Sequence, residues 1–175
     1  MNAITRMHHS ASIQRNILNA ANLSHTYYEA HGTPIGELCH GYGQFQGDST
    51  IDDSFAFNQG YGMADGGMVA TARDLAKFYM AIQDGTLLDN EAKHALFDDP
   101  VPDGNSLAGL GIFIETIDDQ EVWLHGGASV GYLSDILYYP ATGNVLVFFA
   151  NGSEQKLNDI YNTLSEELST AFNQY

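Results

Sequence analysis

The sequence predicts an α+β fold: an antiparallel β-meander packed against helices. Three observations carry this. Glu121–Gly126, Tyr132–Tyr139 and Val145–Ala150 are short runs rich in β-branched and aromatic residues, separated by turn chemistry such as Pro140-Ala141-Thr142-Gly143-Asn144. Between Thr71 and Phe97, apolar residues recur at helical spacing. After the last strand, Leu157, Ile160, Tyr161, Leu164, Leu168 and Phe172 line one face of a C-terminal helix, suited to lying on a sheet.

Taken in order, residues 1–9 carry little pattern, and the pair His8-His9 reads as exposed. Ser10 or Ser12 is placed to cap a short helix through about Ala21, with Ile13, Ile17 and Leu18 on one face. From Leu23 to Asp65 the chain is loop-like, rich in Gly, Tyr, His and Asp; His40-Gly41-Tyr42-Gly43 and Asn58-Gln59-Gly60-Tyr61-Gly62 have the character of loop residues presented to a cleft. Thr71 and Asp74 have capping-box spacing, with Asp in place of the usual Glu or Gln; Leu75, Phe78, Tyr79 and Ile82 follow, and Asp84-Gly85 stops the helix. Asp89 N-caps a second helix through Phe97. Residues 98–106, with Pro100, Pro102 and Gly104, read as a turn-rich loop. Gly111–Ile117 is a strand, and Asp118-Asp119 turns it into the next, giving a four-stranded meander. Ser153 caps the final helix.

At 175 residues the chain suits a single domain, 1–175, and 44% hydrophobic content suits a folded one. Its 22 acidic and 6 basic residues, net charge −16, exclude nucleic acid as a partner and argue against an anionic membrane surface. No apolar run reaches the ~18–20 residues of a membrane helix. One cysteine, Cys39, excludes an internal disulfide and a cysteine-based zinc site; no metal or cofactor is expected.

Three patterns bear on nucleophilic chemistry. Gly127-Ala128-Ser129-Val130-Gly131 matches G-x-S-x-G, but that elbow needs a strand-to-helix turn and a later histidine. All seven histidines precede Ser129 and strand follows it, so Ser129 is read as a strand-turn residue. Ser153 and Lys156 form S-x-x-K, yet Lys156 sits beside Glu154 and Asp159, which keep an amine charged and a poor base; Ser153 is read as a helix cap. The third is the strand entering His125-Gly126-Gly127, where glycines at 126, 127 and 131 let another backbone or a substrate approach closely. An isolated histidine in that position is ordinarily bonded to backbone.

His125-Gly126-Gly127, followed by Ala128, resembles the third motif of the penicillin-recognising serine hydrolases: class C β-lactamases, D-alanyl-D-alanine carboxypeptidases and related esterases. The motif there is Lys-Thr-Gly, with His-x-Gly a common variant. YGMADGGMVATARDLAKFYMAIQDGTLL resembles the family's glycine pair, capping box and helix, LAGLGIFIE a following strand, and HGGASVGYLSDILYYPATGNVLVFFANG its consecutive strands. ILNAANLSHTYYE is similar to the end of the helix and turn after the second motif, so the likeness covers nearly the whole chain in the family's order.

The resemblance implies a partial β-lactamase-like/transpeptidase fold. The family's S-x-x-K nucleophile and Y-x-N lie upstream of the segments matched here, so the expected role is the C-terminal portion of a hydrolase that performs acyl transfer on D-alanyl peptides, β-lactams or small esters, inactive or nearly so alone. The alternative is a non-catalytic binding or regulatory module that keeps the substrate cleft. The resemblance implies that His125 meets substrate or the catalytic tyrosine hydroxyl and that the Ala128 N–H completes an oxyanion hole; Gly126, Gly127, His40, Tyr42 and Tyr61 are the expected substrate-binding residues. Family members are often periplasmic or extracellular. Without the family's N-terminal strands, Val145–Ala150 is expected to be an open edge that drives self-association or swapping.

Overall fold

The computed structural model describes residues 6–28, 38–44, 50–54, 67–129 and 131–152, together with residues 160, 163, 164, 167 and 171. The predicted helix at the start is present but differently built. Helix α1 (His9–Ile13) has His8 rather than a serine at its N-cap position, with no side-chain bond to the first turn, and it widens into π-helical turns over Gln14–Leu18. Ser12 lies buried inside it, and Ser10 bonds the His8 ring at 2.7 Å. Of the terminal histidine pair, His8 is exposed and His9 half buried: His9 bonds the Tyr28 hydroxyl at 2.8 Å and meets its ring edge-on.

The stretch read as loop contains two-residue ladders. Strand β1 (Tyr27–Tyr28) pairs with β4 (Met68–Val69), and β2 (Tyr42–Gly43) pairs with β3 (Asp52–Asp53), both antiparallel. Helix α2 (Ala72–Gln83) starts where the sequence places it: Thr71 accepts from the Asp74 N–H at 3.2 Å. The reciprocal arm of the capping box does not form. The Asp74 carboxylate turns away to other partners, described below. Helix α3 (Asn90–Phe97) is capped by Asp89, which accepts from the Ala92 N–H at 2.9 Å.

Among the described residues the sheet has six strands rather than four, each paired with the next in sequence. The two additional strands, β5 (Val101–Asp103) and β6 (Ser106–Ala108), occupy the segment read as a loop. Gly104, at φ +59°, makes their two-residue turn, and Pro102 is tolerated because β5 is an edge strand whose outward side needs no N–H. Strands β7 (Phe113–Ile117), β8 (Gln120–Ser129), β9 (Tyr132–Tyr139) and β10 (Asn144–Asn151) follow as a continuous meander. Asp118 and Asp119 both have positive φ, the backbone of a type I′ hairpin, whose twist matches that of the strands.

Alternation along the strands sends side chains to two layers. On one face Tyr79, Ile112 and Ile136 form a buried cluster flanked by Leu75, Phe78, Phe97, Trp123, Tyr138, Val145 and Val147, so α2 and α3 cover that face. The opposite face buries Val122, Leu137 and Tyr139, flanked by Ile117, Leu124 and Leu146. Burial, with the nearby Asp135 carboxylate, lifts the Tyr79 phenol far above its ordinary range, so it stays neutral. Residues 160, 163, 164, 167 and 171 are helical, in line with the predicted C-terminal helix; Ile160 is half exposed and Leu164 half buried.

Candidate functional site

Strand β8 is longer than its pattern suggests. His125-Gly126-Gly127 lies within it rather than at its end, and pairing with β9 continues to Ser129↔Tyr132. The β7 ladder stops at Phe113↔Leu124. Residues 125–129 are therefore laddered to β9 on one side and extend past β7 on the other, among the described ladders. Ser129 continues the strand, so the elbow geometry that G-x-S-x-G requires is not what this segment adopts.

The glycines differ in why they are glycine. At Gly127 a Cβ would lie 2.8 Å from the Ser134 hydroxyl on β9, so the opposing side chain occupies the place. At Gly126 a Cβ would meet nothing closer than ordinary contact, and its absence leaves that part of the strand uncovered. The exposed His125 ring donates from Nδ1 to the Gly126 carbonyl at 2.8 Å and rests against the Phe113 ring at 5.6 Å. Ala128 is exposed one residue before the strand ends.

His40 and Tyr42 are brought to the far end of the same strand. The loop 38–44 docks on the β8–β9 turn through its own carbonyls. The Tyr132 hydroxyl donates to Cys39 O at 2.8 Å, Asn151 Nδ2 to His40 O at 2.7 Å, and the Ser54 N–H to Gly41 O at 2.9 Å. Gly41 and Gly131 make this approach possible: a Cβ on Gly41 would lie 2.6 Å from the Tyr132 ring, and Gly131 has φ +78°. The His40 ring is held in turn, donating from Nδ1 to Asp53 at 2.6 Å and stacking on Tyr42. His125 and the turn at Ser129 are four residues apart, roughly 13 Å of extended strand, so His125 and His40 mark opposite ends of one strand edge. Tyr61, Asn58, Ser153 and Lys156 lie outside the described residues.

Tyr132, Ser134, Asp53 and Asn151 were not singled out in the sequence, although each fixes this region. Only Ser134 left a local signal, as a small polar residue two positions into a hydrophobic strand. A further anchor is Asp74, 1% exposed, whose carboxylate accepts from the His25 N–H at 2.7 Å, Thr26 Oγ1 at 3.2 Å and Lys77 Nζ at 3.2 Å. Burial works to raise its pKa, but the His25 N–H, Lys77 and Thr26 together outweigh it and hold the carboxyl below the ordinary aspartate range. No group of three or more potential metal ligands occurs among the described residues. No helix is long and apolar enough to cross a membrane among them.

Comparison with known proteins places this helix-covered antiparallel meander in the β-lactamase/transpeptidase fold. The beta-lactamase family model matches residues 3–168, and the chain belongs to that family of penicillin-recognising serine hydrolases. Among solved structures, D-amino acid amidase from Ochrobactrum anthropi aligns with TM-score 0.81 and 23% identity over 97% of this chain and 54% of its own. A penicillin-binding protein from Bacillus halodurans aligns with TM-score 0.76 and 21% identity over 87% and 47%. An octameric penicillin-binding protein homologue from Pyrococcus abyssi gives TM-score 0.71 and 21% identity over 86% and 35%. The chain thus spans about half, or less, of the length of these structures. A search of curated protein sequences gives no match.

Proposed function

We propose that this chain is the C-terminal portion of a serine hydrolase that carries the acyl-binding strand edge, while the nucleophile belongs to the rest of the catalytic domain. The observation that supports this most directly is β8 itself, which runs through His125-Gly126-Gly127 and beyond the β7 ladder. An extended acyl substrate lies along residues 125–129 by strand addition, its backbone meeting strand backbone. His125 contacts the substrate or a catalytic hydroxyl, and the Ala128 N–H faces the developing oxyanion. His40 and Tyr42 border the far end. Substrates are D-alanyl peptides, β-lactams or small esters, as the family resemblance implies, or amides of the kind a D-amino acid amidase takes. Alone, the chain binds but does not turn over.

The test combines amide NMR with covalent probing. An N-acyl-D-alanyl-D-alanine peptide is expected to shift the Gly126, Gly127 and Ala128 amide signals, and the His125→Ala variant to weaken that binding. A fluorophosphonate is expected to leave the intact mass unchanged. Absence of any shift at 126–128 defeats the binding assignment, and a stable adduct on a serine of this chain defeats the inactive reading.

We further propose self-association through β10. It is the terminal strand in the described sheet order, and Phe149 on it is exposed; the octameric homologue gives a relative that assembles. Light scattering across a concentration series is expected to show species above the monomer, reduced by Phe149→Lys. A monomer throughout ends this proposal.

A further inference from the structure

We propose that Asn151 is a deamidation site whose reaction is guarded by the docked 38–44 loop, so that its modification unlatches that loop irreversibly. Asn151-Gly152 is the one Asn-Gly pair in the sequence. Glycine after asparagine leaves the attacking backbone nitrogen unshielded and able to reach the required conformations. In the reaction the Gly152 nitrogen loses its proton and bonds to Asn151 Cγ. The Cγ–Nδ2 bond breaks, ammonia leaves, and a five-membered succinimide remains. Water then opens the ring at either carbonyl, giving aspartate or isoaspartate.

Both reacting groups are held in the folded chain. Asn151 ends β10, exposed at its side chain, and extended backbone turns the next nitrogen away from Cγ. The Gly152 N–H donates to Gly131 O at 3.0 Å, and the Asn151 amide donates to His40 O at 2.7 Å. The departing nitrogen is thus held by the loop itself, and the attacking one by Gly131, against which the loop packs. Release of the loop frees the departing amide. The product cannot restore the contact: a carboxylate only accepts, and here it faces a carbonyl. Isoaspartate also adds a backbone carbon between Asn151 and Gly152, which shifts the Gly152 N–H relative to Gly131 O. This chemistry is independent of whether β8 binds an acyl group.

The experiment follows Asn151 by peptide-mapping mass spectrometry during incubation at mildly alkaline pH, with wild type, Tyr132→Phe and wild type unfolded in urea. Slower reaction in the folded chain than in urea is expected. Tyr132→Phe, which removes the hydroxyl bonded to Cys39 O, is expected to raise the rate about fivefold, the effect of one ordinary net hydrogen bond. Asn151→Asp, made directly, is expected to speed amide exchange in residues 39–43 while leaving β8 and β9 core amides unchanged. Equal rates in folded and unfolded chains overturn the guarding. Unaltered exchange at 39–43 in Asn151→Asp overturns the latch, whether or not Tyr132→Phe folds.

Discussion

The meander β7–β10 and the described residues between Leu23 and Ser54 meet where Gly41, Tyr42 and Ser54 approach Gly131, yet different physics holds each. The meander is made of neighbours in sequence: every strand pairs with the next through a short turn, and its side chains fill two apolar layers. The other region has two-residue ladders and depends on single polar groups reaching across the chain. Tyr132 and Cys39 are 93 residues apart, and Asn151 and His40 are 111 apart. Apolar burial is distributed and tolerant of adjustment; a polar pin is an all-or-none contact whose loss strands its partner. The candidate site sits where a rigid layer presents a strand edge and a pinned loop borders it.

The comparison breaks most readily at the meander. Leu137→Ala, in a layer where Leu137 is 3% exposed, is expected to cost about 2–5 kcal/mol. Urea denaturation measures this; a loss under 1 kcal/mol, on the order of a surface change, contradicts the layer assignment. The Asp74 anchor comes next. Asp74→Ala strands the His25 N–H and the Thr26 hydroxyl at a cost of about 2–3 kcal/mol. Because the folded carboxyl titrates below its ordinary value of 3.8, its contribution is complete above that pH and fades as pH falls through the lower folded value. Stability measured against pH should therefore show a shallower acid limb in Asp74→Asn than in wild type.

A smaller effect separates the two regions directly. Gly131→Ala forces a Cβ into a left-handed backbone and to 2.8 Å from the Tyr42 nitrogen, for about 1–3 kcal/mol. Hydrogen exchange should quicken at 39–43 before it does in β8 and β9. Equal acceleration everywhere would mean that the loop and the meander unfold as one unit. The smallest change is at a cap: Asp89→Ala removes the acceptor of the Ala92 N–H and is expected to cost about 1 kcal/mol, read from the denaturation midpoint.

Much of the meander was legible because its information is local. Alternating apolar runs, the Asp118-Asp119 turn and the Thr71 and Asp89 caps all act within a few residues, and each is found where the sequence places it. Gly126-Gly127 is legible as a glycine pair on a strand, but not as the middle of one. Strand length is set by the partner, and β9 continues to pair as far as Tyr132. The β5–β6 hairpin was hidden for a related reason: Pro102 and Gly104 are loop formers that an edge position tolerates.

By itself, then, the sequence determined the α+β class and the order of the main helices and of the β7–β10 meander, because periodicity, caps and turn residues are properties of short windows; the family came from the resemblance of its motifs. Tertiary structure alone decided that Asp74 would clamp residues 25–26 rather than close its own capping box, and that three carbonyls of loop 38–44 would be held by Tyr132, Asn151 and Ser54. A carboxylate or an amide carries the same hydrogen-bonding capacity wherever it stands. Which donor or acceptor it meets is fixed only when distant segments are brought within about 3 Å of one another.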